Sequence, residues 1–297
     1  MVIRHIKVNI PTVEELQLPP VLTDLVMEKR GLILVVGATG SGKSSTLAAM
    51  IDHRNRTTTG HILTIEDPIE FMHKHAKSIV NQREVGIDTR SYENALSNAM
   101  REAPDLIMIG ECRDRQTFGA ALQYGQTGHL CLSTVHANTS YYALNRIINM
   151  FPHDARESLL MDLAVTLKAV ISQRLVHDVN GELLPAVELM LITKHIQELI
   201  KNGDIDQIKD AMEQSLAPGL QTFEQALFRL YSSGRITLEE AMANADSPTN
   251  LHWLINNAGK TAASPSTPTG SAPAAGSRAV AAQDDLSNIK LNLDALG

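Results

Sequence analysis

The sequence predicts an α/β fold with a mostly parallel β-sheet, followed by a helical subdomain. Between residues 31 and 176, short apolar runs of strand length alternate with segments of helical periodicity, which is typical of consecutive βαβ units. The chain has 297 residues, of which 43% are hydrophobic, and this is enough to bury one large core or two smaller ones. Beyond about residue 193 the apolar periodicity is helical only.

The apolar runs place the predicted elements in order along the chain. Residues 32–36 (LILVV) form a continuous apolar run, as expected for a strand that is buried on both faces. Further strands are predicted at residues 61–65, 106–109, 129–134 and 186–192. Helices are predicted at residues 42–52, 92–102, 116–124, 140–149 and 156–173. Downstream, Thr222 with Gln225 and Thr237 with Glu240 match the capping-box pattern that marks helix starts.

Composition changes divide the chain further. The first thirty residues combine a strand-like MVIRHIKVNI with a proline-punctuated connector, which indicates the end of an upstream domain plus a linker. The core is predicted at residues 31–193 and the helical subdomain at residues 194–259. Residues 260 to about 285 are rich in Ser, Thr, Pro, Gly and Ala, so the tail at residues 260–297 is predicted to be disordered, with a short apolar segment at its end. Within it, four apolar residues at helical spacing are either a docking stripe or a frayed end: Leu286, Ile289, Leu293 and Leu296.

Charge and composition exclude several classes of protein. The net charge of −7 and the 4% aromatic content argue against a nucleic-acid-binding surface, which is normally basic and supplied with stacking rings. No apolar run is long enough to span a bilayer, and the first residues lack a signal-peptide core. These features predict a cytoplasmic location. The two cysteines, Cys112 and Cys131, are expected to be reduced and to fill the core.

Residues 37–44 read GATGSGKS and match the pattern G-x-x-x-x-G-K-[ST]. In this pattern the glycine-rich turn directs backbone N–H groups at phosphates, the lysine reaches the β/γ oxygens, and the last hydroxyl holds Mg²⁺. The alternative, a glycine turn that binds nothing, is disfavoured by the buried strand before it and the helix after it. ATP and Mg²⁺ are therefore the predicted ligands of Gly37, Ala38, Thr39, Gly40, Ser41, Gly42, Lys43, Ser44 and Ser45.

Acidic residues follow two of the predicted strands. The strand at residues 61–65 is followed by Glu66, Asp67 and Glu70, and the strand at residues 106–109 by Gly110 and Glu111. Carboxylates at the carboxyl edge of a parallel sheet face the crevice where ligands bind, and nucleotide hydrolysis needs such groups to handle water and metal. An isolated acid at a strand end is usually solvated surface charge, but two clusters beside a phosphate loop favour function.

Four sequence blocks together resemble the secretion and type IV pilus ATPases, which are hexameric motors of the RecA-like group. Residues 37–44 resemble the Walker A loop, residues 65–70 (IEDPIE) the acidic Asp box, residues 106–114 (LIMIGECRD) the atypical Walker B, and residues 128–138 (GHLCLSTVHAN) the His box. The resemblance covers residues 1 to about 258. It implies a RecA-like P-loop NTPase core, and it identifies residues 1–30 as the remnant of a PAS-like N-terminal domain plus linker, so an N-terminal truncation is expected.

The resemblance also implies roles for individual residues. Lys43 contacts the β/γ-phosphates, Ser44 ligates Mg²⁺, and Glu111 holds or polarises the metal site through water. Glu70 is the general base, although the residues alone do not separate it from Glu66 and Asp67. His136 lies near the γ-phosphate; the competing interpretation is a histidine that ties down a strand end. Arg101 and Arg113, with Arg115 as a further candidate, are expected to neutralise negative charge at the nucleotide site. The alternative for all three is a structural salt bridge with a nearby acid.

Two departures from the family pattern indicate which branch of the family the chain resembles. Assembly-type members carry a zinc module of two CxxC pairs, whereas this chain has two cysteines nineteen residues apart, too few for a tetrahedral thiolate site. No zinc is therefore expected, and the retraction branch is favoured. The AIRSN-like helix of PilT-type members is not recognisable at residues 193–200. In lacking this helix, and in the sequence of residues 220–237 and of the tail, the chain resembles the accessory retraction ATPases.

The function implied by this resemblance is an ATP-hydrolysing motor that powers or assists pilus retraction and twitching motility. Its implied partners are other copies in a hexameric ring, a PilT-like retraction ATPase and the inner-membrane pilus platform protein, with no nucleic acid. The implied location is the inner face of the cytoplasmic membrane. The alternatives are an accessory nucleotide-binding module that docks on a PilT-like partner, and a zinc-free secretion ATPase. A further hypothesis makes Cys112, beside Glu111 and Arg113, an oxidation-sensitive thiolate.

Overall fold

The computed structural model describes residues 9–257, which build a seven-stranded β-sheet with helices on both faces. The strands lie in the order β3-β2-β4-β5-β1-β6-β7. All neighbouring strands are parallel except β6 and β7, which form an antiparallel hairpin. The predicted α/β class and mostly parallel sheet are confirmed. The strands are β1 (Gly31–Val36), β2 (Gly60–Glu66), β3 (Ser78–Glu84), β4 (Leu106–Ile109), β5 (Leu130–Val135), β6 (Leu167–His177) and β7 (Leu183–Leu191).

Eleven α-helices lie within the described residues. Those that follow strands in the core begin close to their predicted positions, and the helix predicted at residues 140–149 has the predicted bounds. The helices are α1 (Val21–Leu25), α2 (Lys43–Thr57), α3 (Tyr92–Ala99), α4 (Arg115–Gln126), α5 (Ser140–Asn149), α6 (Arg156–Thr166), α7 (Lys194–Asn202), α8 (Ile208–Glu213), α9 (Phe223–Ser232), α10 (Leu238–Asn244) and α11 (Pro248–Asn257).

The sheet separates two apolar layers. Successive side chains of β1 point to opposite faces, so Leu32 and Leu34 join one core cluster while Ile33 and Val35 join the other. The first layer packs against α3 to α8, and the second against α1, α2 and the connector before them. Because both faces are covered, every residue of β1 is buried, which explains its continuous apolar sequence.

The C-terminal helices pack on the β6–β7 hairpin around a third apolar cluster. Phe223 and Leu227 of α9 are buried against Val176 and Leu184 of the hairpin. The predicted boundary between the core and the helical subdomain, at residues 193–194, lies just after β7. Residues 9–257, on both sides of it, belong to one compact unit. The predicted tail and its apolar segment lie outside the described residues. Among residues 9–257, no helix combines the length and apolar character needed to cross a bilayer.

One predicted helix is partly wrong, and one strand is missing from the prediction. The helix predicted at residues 156–173 ends at Thr166, and its second half belongs to β6. That half is apolar enough to pass for a helix, but it pairs with β1 on one side and β7 on the other, and tertiary pairing overrides local pattern. β3 was not predicted, because it is a polar edge strand in which Ser78 and Val80 are buried while Ile79 and Asn81 are exposed.

The two predicted capping boxes have different outcomes. Around α9 the box is complete, because the side chains of Thr222 and Gln225 each accept from the other residue's backbone N–H. At α10 only half of it forms. Thr237 accepts from the N–H of Glu240 at 3.2 Å, but the Glu240 carboxylate accepts instead from the N–H of His177 at 2.8 Å. This side chain ties the hairpin to α10.

Candidate functional site

A cleft of about 660 Å³ opens at the carboxyl edge of the parallel strands. The loops that follow β1, β2, β4 and β5 converge there, as expected for ligand sites in open α/β sheets. Most of the predicted site residues line this cleft, while Gly37, Ala38 and Ser41 line the adjoining outer surface of the loop after β1. The predicted residues in the cleft are Thr39, Gly40, Gly42, Lys43, Ser44, Ser45, Glu66, Asp67, Glu70, Glu111, Arg113 and His136.

The loop after β1 owes its shape to glycines in the left-handed region. Gly40 and Gly42 have φ of 81° and 89°, where a β-carbon is strained. Gly42 is the N-cap of α2, so the unpaired N–H groups of the first helical turn and the positive end of the helix dipole lie at the cleft. Such an arrangement binds phosphate groups.

The side chain of Lys43 folds back on the loop. Its Nζ donates to the carbonyl oxygens of Gly37 at 2.9 Å and Ala38 at 2.8 Å. Burial lowers the pKa of Lys43, and the charges of Glu111 and Glu70 act in the opposite direction. The ammonium group is therefore within electrostatic reach of two acids that come from different strand ends.

Glu111 joins the loops after β4 and β5. Its Oε2 accepts from Nε of Arg113 at 2.7 Å, and its Oε1 lies 3.1 Å from Nε2 of His136. The Glu111 side chain is 14% exposed, whereas that of Arg113 is 64% exposed. The hydrogen bond from Arg113 to Glu111 raises the pKa of the arginine. Two cationic or hydrogen-bonding groups thus hold this carboxylate at the cleft.

The structure distinguishes the acids that follow β2. Oε1 of Glu66 accepts from Oγ1 of Thr64 at 2.7 Å and from Nε2 of Gln82 at 3.0 Å. Burial raises the pKa of Glu66, and these hydrogen bonds oppose the shift. Glu70 is exposed at the cleft, and its charge acts on Lys43. Glu66 therefore fastens β2 to β3, while Glu70 presents a carboxylate on the side of the phosphate loop.

Arg101 does not join the cleft. It lies in a 3-10 helix (Met100–Glu102) that leads into β4, and residues before a parallel strand are at the amino edge of the sheet, opposite the cleft. Arg115 begins α4, and its guanidinium lies over the ring of Phe151 at 5.5 Å, which is a packing role. Of the three predicted arginines, Arg113 is the one placed in the cleft.

The hypothesis of a reactive thiolate at Cys112 is wrong. The side chain is 2% exposed, and burial raises its pKa to about 12. The hydroxyl of Ser133 donates to its Sγ at 3.2 Å, which opposes this shift without cancelling it. A thiol with such a pKa stays protonated and unreactive at neutral pH. Both Cys112 and Cys131 are buried core residues, as the simpler interpretation predicted.

Sequence reasoning missed three residues near the loop. Tyr92 lines the cleft from the first position of α3, and burial raises its pKa. His73 also lines the cleft although it is 8% exposed, and Gln173 of β6 lies beside Gly37 and Gly42 of the phosphate loop. A helix start was predicted at residue 92, but without β3 in the prediction nothing placed Tyr92 at a strand end. No local pattern marks His73 or Gln173, which the tertiary fold brings to the loop.

The donors at the cleft suit Mg²⁺ bound together with phosphate. Within residues 9–257 no group of three or more His, Cys, Asp or Glu side chains is arranged to hold a metal ion. Mg²⁺ does not need one, because it is usually held by one or two protein oxygens together with phosphate oxygens and water. The exposed Ser44 hydroxyl and the Glu111 carboxylate line the same cleft and supply oxygens of this kind.

Comparison with known proteins identifies relatives over most of the chain. Residues 4–184 match the family described as type II/IV secretion system protein. The type IV pilus ATPase PilU of Pseudomonas aeruginosa is 52% identical over 256 residues, which cover 86% of this chain and 67% of that protein. The pilus retraction ATPase PilT of the same organism is 41% identical, covering 84% and 73%. A crystal structure of the retraction motor PilT with bound ADP matches with a TM-score of 0.79 and 44% identity, covering 84% and 71%.

Proposed function

The chain belongs to the type II/IV secretion system protein family, and from that premise we propose that it is an ATP-hydrolysing motor of pilus retraction, similar to PilU. The reaction is the Mg²⁺-dependent hydrolysis of ATP to ADP and phosphate. The single observation that carries the proposal is the convergence of Lys43, Glu70, Glu111 and His136 on one cleft. Relatives named as pilus ATPases over the same residues support it.

Nucleotide binding falls to the loop at residues 37–45. Its N–H groups and the start of α2 receive the phosphates, and Lys43 leaves the carbonyls of Gly37 and Ala38 to contact the β/γ oxygens. Ser44 holds Mg²⁺ directly, and Glu111 holds it directly or through water. Bound Mg²⁺ neutralises charge on the phosphate oxygens.

Hydrolysis needs a group that takes a proton from the attacking water and groups that stabilise charge on the γ-phosphate. Glu70 is the general base, because its exposed carboxylate lines the cleft and its charge acts on Lys43. His136 senses the γ-phosphate, and Arg113 supplies positive charge at the mouth of the cleft; in the structure both side chains contact Glu111. Both side chains exchange their contacts with Glu111 for contacts with substrate.

The proposed setting is a hexameric ring at the inner face of the bacterial cytoplasmic membrane. Its proposed partners are a PilT-like retraction ATPase and the inner-membrane pilus platform protein. In this setting, nucleotide-driven movement between subunits removes pilin from the pilus base. The assignment to retraction rests on PilU and PilT as relatives, because motors of one fold perform opposite mechanical tasks.

Replacement of Lys43 by Ala tests the proposal. The change removes a charge directed at the developing phosphate charge, so ATP hydrolysis should fall by about 10²-fold or more, measured as phosphate release. Lys29→Ala, an exposed lysine before β1, is the matched control and should retain the wild-type rate. Equal rates in the wild type and Lys43→Ala would refute the enzymatic function.

The same assay separates the remaining alternatives. Glu70→Gln should bind MgADP normally but hydrolyse ATP slowly, whereas Asp67→Asn should retain most of the activity. The reverse result would assign the base to Asp67. A wild-type protein that binds nucleotide without turnover, alone or with its pilus ATPase partner, would support the accessory binding module instead.

A further inference from the structure

Gln173 lies beside the phosphate loop although it belongs to a different part of the sequence. In the register of β6 with β1, Ser172 pairs with Val36, so Gln173 is level with the first residue of the loop. The Gln173 side chain is buried, with 4% of the residue exposed. Its Oε1 accepts from Oγ1 of Thr46 at 2.6 Å, and Thr46 is fully buried in the first turn of α2.

Gln173 also occupies the space beside both ends of the loop. A β-carbon at Gly42 would lie 2.7 Å from Nε2 of Gln173, and one at Gly37 would lie 2.5 Å from its backbone oxygen. Both distances are shorter than real β-carbon contacts. Gly37 is therefore needed for close approach to the Gln173 backbone, while a β-carbon at Gly42 would displace the Gln173 amide.

The strand that carries Gln173 is itself fixed from the opposite face of the sheet. The hydroxyl of Ser172 donates to Oε1 of Glu188 on β7 at 3.0 Å. The same oxygen accepts from the backbone N–H and the hydroxyl of Ser140, both at 2.8 Å. Ser140 begins α5, which follows the loop of His136. Gln173 is thus presented to the loop by a strand end that is held by buried hydrogen bonds.

We propose that Gln173 is a positioning residue for nucleotide binding. Its amide accepts from Thr46 and packs on Gly42, which holds the loop and the first turn of α2 in the shape that directs their N–H groups at phosphate. It acts through these neighbours and does not need to touch the reacting atoms. This inference deepens the proposed function and depends on it, because a loop fixed before binding has less conformational entropy to lose.

Calorimetric titration with MgADP tests this role. Gln173→Leu keeps the bulk of the side chain but leaves the Thr46 hydroxyl buried without its acceptor, so MgADP affinity should fall about tenfold. KM for ATP should rise by a similar factor while kcat stays within about threefold. If Gln173 acts through Thr46, the double variant with Thr46→Val should bind no more weakly than Gln173→Leu alone.

A matched control separates positioning from simple stability. Gln221 is also a buried glutamine, with 7% of the residue exposed, and its Nε2 donates to the Val187 carbonyl at 2.8 Å. Gln221→Leu should lower Tm and leave MgADP affinity unchanged. Wild-type affinity in Gln173→Leu, with a loss of Tm similar to that of Gln221→Leu, would overturn the proposal. If Gln173→Leu does not fold, Thr46→Val removes the same hydrogen bond and must itself weaken MgADP binding.

The outcomes also distinguish this inference from the function on which it rests. Failure of the wild type to bind MgADP would refute both. Binding by the wild type, its loss in Lys43→Ala and unchanged binding in Gln173→Leu would refute the role of Gln173 alone. Weaker MgADP binding by Gln173→Leu, together with wild-type MgADP affinity in Gln221→Leu, would support the role of Gln173.

Discussion

Burial disfavours the charged forms of several side chains in the core beside the cleft. Glu66, Cys112 and Glu188 all have a raised pKa because burial disfavours their charged forms. Glu188 combines this with three hydrogen bonds to one oxygen, which partly oppose the shift. Such residues are structural even though they lie near chemically active ones. The exposed acids and bases at the cleft mouth are better placed for proton transfer.

His73 gives a pH dependence that can be measured. Burial lowers its pKa to about 4, although the charge of Asp52 acts in the opposite direction. The folded state therefore holds a neutral ring, while the unfolded chain binds a proton below about pH 6.5. The stability that depends on neutral His73 is complete above pH 6.5 and is lost as the pH falls towards 4, by up to about 3 kcal/mol.

Urea unfolding of the wild type and His73→Leu between pH 7 and pH 4.5 tests this dependence. The difference in the free energy of unfolding between the two proteins should shift in favour of the leucine variant as the pH falls. His195→Leu, at an exposed histidine of α7, is the control and should follow the wild type. A constant difference across the range would contradict the prediction.

At the scale of elements, the N-cap threonines of two helices were predictable and two strands were not. N-caps act over three residues, so Thr222 with Gln225 can be identified without knowledge of the fold. β6 depends instead on pairing with β1 and β7, and its sequence LKAVISQRLVH is compatible with a helix. Edge strand β3 has little apolar pattern to find. Local rules therefore predicted most elements except those that only neighbouring strands define.

Thr222→Ala tests the complete capping box of α9. The change removes an N-cap acceptor that is 1% exposed, so the free energy of unfolding should fall by about 1 kcal/mol. The helix packs on the hairpin through Phe223 and Leu227, so the loss should appear in global urea unfolding. Thr222→Ser keeps the hydroxyl and should retain most of the stability. Equal losses in both variants would show that the methyl group, and not the cap, matters.

For the whole molecule, Arg174 connects the sheet to the C-terminal helices. Its Nη1 donates to the carbonyl of Asn244 at 2.7 Å, and its Nη2 pairs with Asp246 at 2.5 Å. The guanidinium also lies 4.0 Å from the centroid of the Phe223 ring. The planar guanidinium of arginine can make all three contacts at once, whereas the ammonium group of lysine cannot. Asn244, Asp246 and Arg174 also border the outer surface of the phosphate loop.

Arg174→Leu should therefore loosen the C-terminal helices. Loss of two charge-assisted hydrogen bonds and a cation–π contact should cost about 2 kcal/mol, and limited proteolysis should cut near residue 246 faster than in the wild type. Arg174→Lys should recover less than half of the loss, since one ammonium group cannot reach both acceptors and stack on the ring. Full recovery of stability in Arg174→Lys would show that only the positive charge of Arg174 matters.

The sequence by itself determined the α/β class, the phosphate loop and the acidic strand ends, because each depends on a short run of residues whose meaning is local. Only the tertiary structure decided that Glu66 is hydrogen-bonded to Thr64 and Gln82, and that β6 is a strand. It also decided that Arg101 lies at the edge of the sheet opposite the cleft. Gln173 belongs with these, since its bond to Thr46 joins residues 127 positions apart. Contacts over such distances follow from the packing of the whole chain, which no local pattern contains.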